Sequence, residues 1–191
     1  MANSAKLRAF FETDFPLNKE GLEELFTAFQ TEIYTKNELI LRNGDSERQL
    51  RFLNSGNIRE YYATTDKETN INFYTSPQFI TDFSAFNNNT KTKKYQECLS
   101  EVELKILDKE VFLNLLEKYQ CGKSFIDLTF QRLLEQKEQH EFDRLTKSAD
   151  ELYQDILKNH PNWLHKIPQY HIASYLGVTP ETLSRIRKRI S

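Results

Sequence analysis

Apolar residues recur on a helical period near both ends of the chain and on an alternating period between them. Over about residues 4 to 30, Leu7, Phe10 and Phe11 are followed, after Pro16, by Leu22, Leu25, Phe26 and Phe29 at helical spacing. From Ile33 to Leu107 the period shortens. Leu39 and Leu41 run into Asn43-Gly44-Asp45, and Leu50, Phe52 and Leu53 run into Asn54-Ser55-Gly56-Asn57. Ile58, Tyr61 and Tyr62 lead to a polar turn at Thr65-Asp66-Lys67-Glu68; Ile71, Phe73 and Tyr74 come next, and Val102, Leu104 and Ile106 alternate strictly. Short strands broken by turn residues at this interval predict a sandwich or small barrel. The span from Pro77 to Lys94, rich in Asn and Thr, reads as irregular, with a short helical turn and a loop at 87–90.

After Asp108 the helical period returns at Val111, Phe112, Leu115, Leu116 and Tyr119, and a second run extends from Phe125 to about Thr146. In that run Ile126, Phe130, Leu133, Leu134 and Phe142 lie among Glu, Gln, Lys and Arg. So narrow an apolar stripe suits a helix packed against another helix. Ile126, Phe130 and Leu133 are the candidate seam with a second copy of the chain. The alternative is that the stripe packs on the chain's own strands. Residues 149–161 give a further amphipathic helix closed by Pro161, with Trp163, Leu164 and Ile167 placed to pack it on the C-terminal segment.

The segment from Pro168 to Ile190 reads as a helix-turn-helix. Pro168 precedes a first helix in which Ala173 is small enough for a close crossing, and Gly177 can take the left-handed conformation that ends it. Thr179-Pro180 then supplies an N-cap and a first helical residue. Ile172, Leu176, Val178, Leu183 and Ile186 are the apolar positions that would hold the two helices together. Thr179, Pro180, Glu181, Thr182, Ser184, Arg185 and Lys188 are left to face DNA. Arg185 matches the guanine O6 and N7 edge; Glu181, one turn earlier, can accept from cytosine N4 and brace Arg185. An exposed i,i+4 ion pair is the plainer reading of those two residues. Gln169 suits a phosphate, Lys188 and Arg189 would strengthen binding without specifying sequence, and Arg187 is placed to face the body of the unit.

Composition narrows the classes. The chain has 191 residues, 28% charged and 38% hydrophobic, with a net charge of −2. From Pro161 onward, however, Lys166, Arg185, Arg187, Lys188 and Arg189 face a single acid, Glu181, a basic end on a mildly acidic body. Cys98 and Cys121 lack metal-ligand spacing and fit two buried, reduced thiols. No secretory signal and no apolar run of about 18 residues is present, so the expected location is the cytoplasm, with no membrane partner. All four histidines, His140, His160, His165 and His171, lie outside the strand region, and His171 reads as a helix-surface residue. With no phosphate loop and no nucleophile elbow, an enzyme is not expected, nor a metal.

Ile172-Ala-Ser-Tyr-Leu-Gly-Val-Thr-Pro-Glu-Thr-Leu-Ser-Arg-Ile186 and, more weakly, the stretch from Gly44-Asp45 through Leu50-Arg-Phe-Leu-Asn-Ser-Gly56 to Tyr62 resemble the Crp/Fnr family of bacterial transcription regulators. The resemblance implies an α+β fold: an N-terminal double-stranded β-helix (a β-roll like that of cyclic-nucleotide-binding domains) over 1–110, a long dimerisation helix over 111–146, and a helix-turn-helix domain over 147–191. It implies a homodimer on a palindromic double-stranded DNA operator, and leaves RNA polymerase as a further partner. Nucleotide-binding members carry Gly-Glu-Leu and, about ten residues on, Arg-Ser/Thr-Ala. Here Thr81 stands for the glycine, Asp82 for the glutamate and Thr92 for the arginine, with Lys93 or Lys94 as substitute cations. Loss of the arginine removes the fork that phosphate recognition needs. The pocket, Thr81, Asp82, Thr92 and Lys93, is therefore expected to be vestigial, without cyclic AMP or another cofactor, and Phe79, Phe83 and Phe86 to be core filler. The alternative is an effector-responsive sensor that binds a cyclic nucleotide or another small molecule in the β-roll.

Overall fold

The computed structural model describes residues 5–14, 17–120, 135, 138–139 and 141–190. Two helices lead, α1 (Ala5–Asp14) and α2 (Lys19–Ala28), the second capped by Asn18, whose Oδ1 accepts from Gly21 N at 2.8 Å. Strands β1 (Gln30–Tyr34), β2 (Leu39–Leu41), β3 (Gln49–Ser55), β4 (Ile58–Ala63), β5 (Glu68–Tyr74) and β6 (Gln78–Phe79) come next. Helix α3 (Phe83–Asn88) interrupts them before β7 (Tyr95–Cys98) and β8 (Val102–Asp108). The C-terminal part is helical: α4 (Lys109–Lys118), α5 (Ala149–Asn159), α6 (Pro161–Lys166), α7 (Gln169–Leu176) and α8 (Pro180–Ile190).

The strands form two four-stranded antiparallel sheets, β1-β8-β3-β6 and β2-β7-β4-β5. Few neighbours in these sheets are consecutive in sequence, so the chain crosses between layers repeatedly, as a double-stranded roll requires. Gly56 makes the tightest of these turns. It joins β3 to β4 at φ 105°, and an added Cβ would lie 2.5 Å from the Glu101 carbonyl oxygen. Between the sheets lies a core of Leu53, Ile58, Ile80, Cys98, Val102, Leu104 and Ile106. A second cluster, around Leu25, Phe52, Phe112 and Leu116, seats α1, α2 and α4 on the outside of the first sheet.

The strands at Tyr95–Cys98 and Gln78–Phe79 fall beside or inside a span whose sequence reads as irregular, and the short helix falls where a helical turn is expected. Strand β7 escapes the alternation test because its buried positions are Gln96 and Cys98, and Gln96 is polar. The candidate seam residues Ile126, Phe130 and Leu133, and Cys121, lie outside the described residues. Cys98 is buried and unpaired, and burial pushes its thiol up to about 12.

Candidate nucleic-acid interface and the pocket of the roll

Helix α7 ends where Gly177 adopts φ 71°, and the carbonyls left open there are taken by Gly177 N on Ser174 O (3.2 Å) and Val178 N on Ala173 O (3.0 Å). Helix α8 starts two residues later. Thr179 Oγ1 accepts from Thr182 N at 3.2 Å, and Pro180 occupies the first helical position. Leu183 and Ile186 are buried against Ile172, Ala173 and Leu176, and Tyr153, Ile156, Trp163 and Ile167 complete the core. The two helices are thus held by the apolar positions that the sequence singles out.

Helix α8 turns its other face to solvent. Thr179, Pro180, Glu181, Ser184, Arg185, Lys188 and Arg189 are exposed and Thr182 is half-buried, its hydroxyl 3.2 Å from that of Thr179. Gln169, at the head of α7, is exposed on the same unit and lines a small cleft with Arg187, Tyr153 and Leu183. Glu181 lies at the helix start, where its own backbone N–H and the Thr179 hydroxyl, with Arg185 contributing, hold its carboxyl below the usual range. Arg189 is engaged by both carboxylate oxygens of Asp150 on α5, at 2.6 and 2.7 Å, in an exposed pair. Lys166 points the other way, donating to the Thr75 carbonyl at 2.9 Å. His171 is the residue that sequence reasoning misplaces. It is only 7% exposed, because the outer face of α7 is covered by β5, where Asn70 Nδ2 lies 3.3 Å from His171 Nδ1.

The residues aligned with the nucleotide cassette bond to one another and to the neighbouring strands. Asp82 stands at the N-terminus of α3 and accepts from Thr92 Oγ1 at 2.7 Å. Lys94, not Lys93, turns inward: its ammonium lies 3.2 Å from Glu60 and 3.6 Å from Asp82, while Lys93 is exposed. Strand parity decides this, since Thr92 is buried and the next inward position is Lys94. Burial works against the Lys94 charge, but Glu60 and Asp82 outweigh it and raise the ammonium above its usual value. Glu60 also accepts from Gln96 Nε2 (2.8 Å) and Tyr74 Oη (3.1 Å). Thr81 ties the cassette to β3, accepting from Arg51 N at 2.7 Å and donating to Gln49 O at 3.3 Å. Beside it Glu47 pairs with Arg51 and accepts from Asp82 N at 3.3 Å; burial pushes the Glu47 carboxyl up against the pull of Arg51. Phe52, Phe79, Phe83 and Phe86 form an edge-to-face chain along one wall. Among the described residues no His, Cys, Asp or Glu cluster is placed to hold a metal ion, and no helix is long and apolar enough to cross a membrane.

Residues 31–119 match the model of the cyclic nucleotide-binding domain. No curated protein sequence matches the chain. Among solved structures, the chain is similar to FixK2 from Bradyrhizobium japonicum, with 16% identity and a TM-score of 0.69 over 85% of this chain and 84% of that one. It is similar to the c-di-GMP-responsive global regulator CLP of Xanthomonas campestris (15% identity, TM-score 0.67, 91% of each chain). It is also similar to the catabolite activator protein of Thermus thermophilus (18% identity, TM-score 0.58, 92% of this chain and 84% of that one). Residues 31–119 are thus similar to a cyclic nucleotide-binding domain, and over about nine-tenths of its length the chain has the fold of these regulators.

Proposed function

We propose that this protein is a DNA-binding transcription regulator that reads a palindromic operator as a homodimer. One observation carries the reading: a capped recognition helix, α8, whose apolar side is sunk in its own unit while Glu181, Ser184, Arg185 and Lys188 stand together in solvent. Laid in the major groove, that face presents the Arg185 fork to a guanine and Glu181 to a cytosine amine. Thr179, Pro180, Thr182, Gln169, Lys188 and Arg189 fall to the flanking bases and phosphates, Arg189 after leaving Asp150. An exposed ion pair of this kind is worth little, so phosphate replaces it readily. One short helix reads few base pairs; two on a dyad, about 34 Å apart, read a palindrome. The division into a roll (1–110), a linking and dimerising helix (111–146, with Ile126, Phe130 and Leu133 on the seam) and a DNA-binding unit (147–191) belongs to the same proposal. RNA polymerase is the further partner that such a regulator would meet.

The test is a selection of genomic fragments by the purified protein, repeated with Arg185→Ala. Recovery of two inverted half-sites, lost on the substitution, is the expected result; fragments bound equally by both proteins would overturn the reading.

We further propose that the pocket is closed to cyclic AMP. Asp82 is engaged by Thr92 and Lys94, and no arginine stands where the cyclic phosphate would need one. Calorimetric titration with cyclic AMP and cyclic GMP should give no binding heat. Micromolar binding of either would favour the effector-responsive alternative.

A further inference from the structure

The C-terminal helices are fitted to one strand of the roll. Strand β5 ends the order β2-β7-β4-β5, so among the described residues no strand pairs with its outer edge. Helix α7 takes that place. Ser174 Oγ accepts from Asn70 N at 3.2 Å and donates to Glu68 O at 3.3 Å, which continues the ladder with one hydroxyl. Asn70 Nδ2 lies 3.3 Å from His171 Nδ1 and donates to His171 O at 3.4 Å. Lys166 holds the strand's end at Thr75 O.

Phe73 is the apolar part of the same contact. It leaves the roll and enters the core of the helical unit, with its ring 5.0 Å from that of Trp163 and 5.9 Å from that of Tyr175. Asn70 and Phe73 are three residues apart and would normally point to opposite faces. The pairing of β4 with β5 skips Ile71, Glu60 facing Asn72 and Tyr61 facing Asn70, and this bulge turns both side chains outward. None of the exposed residues on α8 is covered by the contact.

We propose that this seam is an interdomain latch: Asn70, Phe73, His171 and Ser174 hold the helix-turn-helix unit on the edge of the roll in one orientation, and so set where the recognition helix points. The latch itself stands apart from the DNA-binding reading; its effect on DNA binding rests on that reading.

Trp163 is the chain's single tryptophan, 4% exposed and in ring contact with Phe73 of the roll at 5.0 Å, so its fluorescence responds when that contact opens. The experiment compares the full chain with Asn70→Ala/Ser174→Ala, reading Trp163 emission, acrylamide quenching, far-UV circular dichroism and binding to the selected DNA fragments. Each lost hydrogen bond of ordinary strength shifts an equilibrium by a few-fold to about tenfold. The expected result is red-shifted, readily quenched Trp163 with an unchanged helical signal, and roughly tenfold weaker DNA binding. Ser174→Thr, which keeps the hydroxyl, should remain latched.

Trp163 as shielded in the double variant as in the wild type would overturn the latch. So would exposure that comes only with loss of helical signal, since the contact would then be part of the unit's own core. Should the wild type bind no DNA, the DNA-binding reading fails while Trp163 still decides the latch. Should the latch open with DNA binding unchanged, the seam does not orient the recognition helix.

Discussion

Lys93 and Lys94 are neighbours in sequence and end on opposite sides of the roll's wall, one in solvent and one between two carboxylates. The inward lysine faces both Glu60 and Asp82. Its removal leaves Glu60 and Asp82 buried without the cation that faces both. Breaking a fully buried pair costs about 3–5 kcal/mol. Lys94 is a quarter exposed and both acids keep hydrogen-bond donors, so Lys94→Met should cost about 1–3 kcal/mol in urea denaturation, and Lys93→Met close to nothing. Two glycines make a parallel contrast. Gly44 (φ 91°) has open space where a Cβ would go, so Gly44→Ala should cost only the conformational strain, about 1 kcal/mol. Gly56 (φ 105°) would drive a Cβ into the backbone at Glu101 and Val102. Gly56→Ala should therefore cost more than about 3 kcal/mol, read as a much larger fall in the urea midpoint.

At the scale of elements, α8 is the part whose chemistry and position agree most closely. Thr179→Ala removes the cap and should cost about 1 kcal/mol of stability, seen as fraying of α8 in hydrogen exchange. Lys188→Ala should lower the slope of log binding constant against log salt by about one per subunit without changing which fragments are selected. This helix was legible in the sequence because its signals are local: a glycine that ends α7, a Thr-Pro that starts α8, and apolar residues on one face. Strand β7 was not legible, since the Nε2 of its inward Gln96 donates to Glu60 and to the Ile80 carbonyl (2.5 Å), partners far away in sequence. His171 failed for a related reason. Periodicity reports the face that a helix buries in its own unit, here Ile172, Ala173 and Leu176. A second face covered by another unit leaves no apolar stripe when its contacts are Asn70, His171 and Ser174. The lysine register failed because alternation needs one fixed point, and the buried position of Thr92 is a tertiary fact.

For the molecule as a whole, the two halves are joined across a seam that contains a buried histidine, and docking is therefore linked to pH. Burial, with Arg59 adding to it and Glu68 opposing, lowers His171 from 6.5 to about 4 in the docked state. The same ring accepts from Asn70 Nδ2, which only an unprotonated Nδ1 can do. Arg59 and Glu68 face it from the sheet, with Glu97 braced on Arg59, and Tyr170 lies against it from its own helix, ring centres 4.1 Å apart. Once undocked, the imidazole would return toward 6.5 and take up a proton more readily. The contribution of neutral His171 to docking is thus fully present above about pH 6.5, declines as the pH falls below it, and is gone near 4. At pH 5 the loss is about 2 kcal/mol, or roughly thirtyfold in the docking equilibrium. Trp163 emission should accordingly shift to the red between pH 7 and 5. His160 stacks on Trp163 at 4.3 Å and is itself lowered by burial, so its protonation would also alter the signal. The shift should persist in His160→Gln and vanish in His171→Asn, which keeps an acceptor near Nδ1 but cannot take up the proton. A shift that disappears with His160 and survives loss of His171 would place the pH response in the stacking of one ring on Trp163, and leave docking independent of pH.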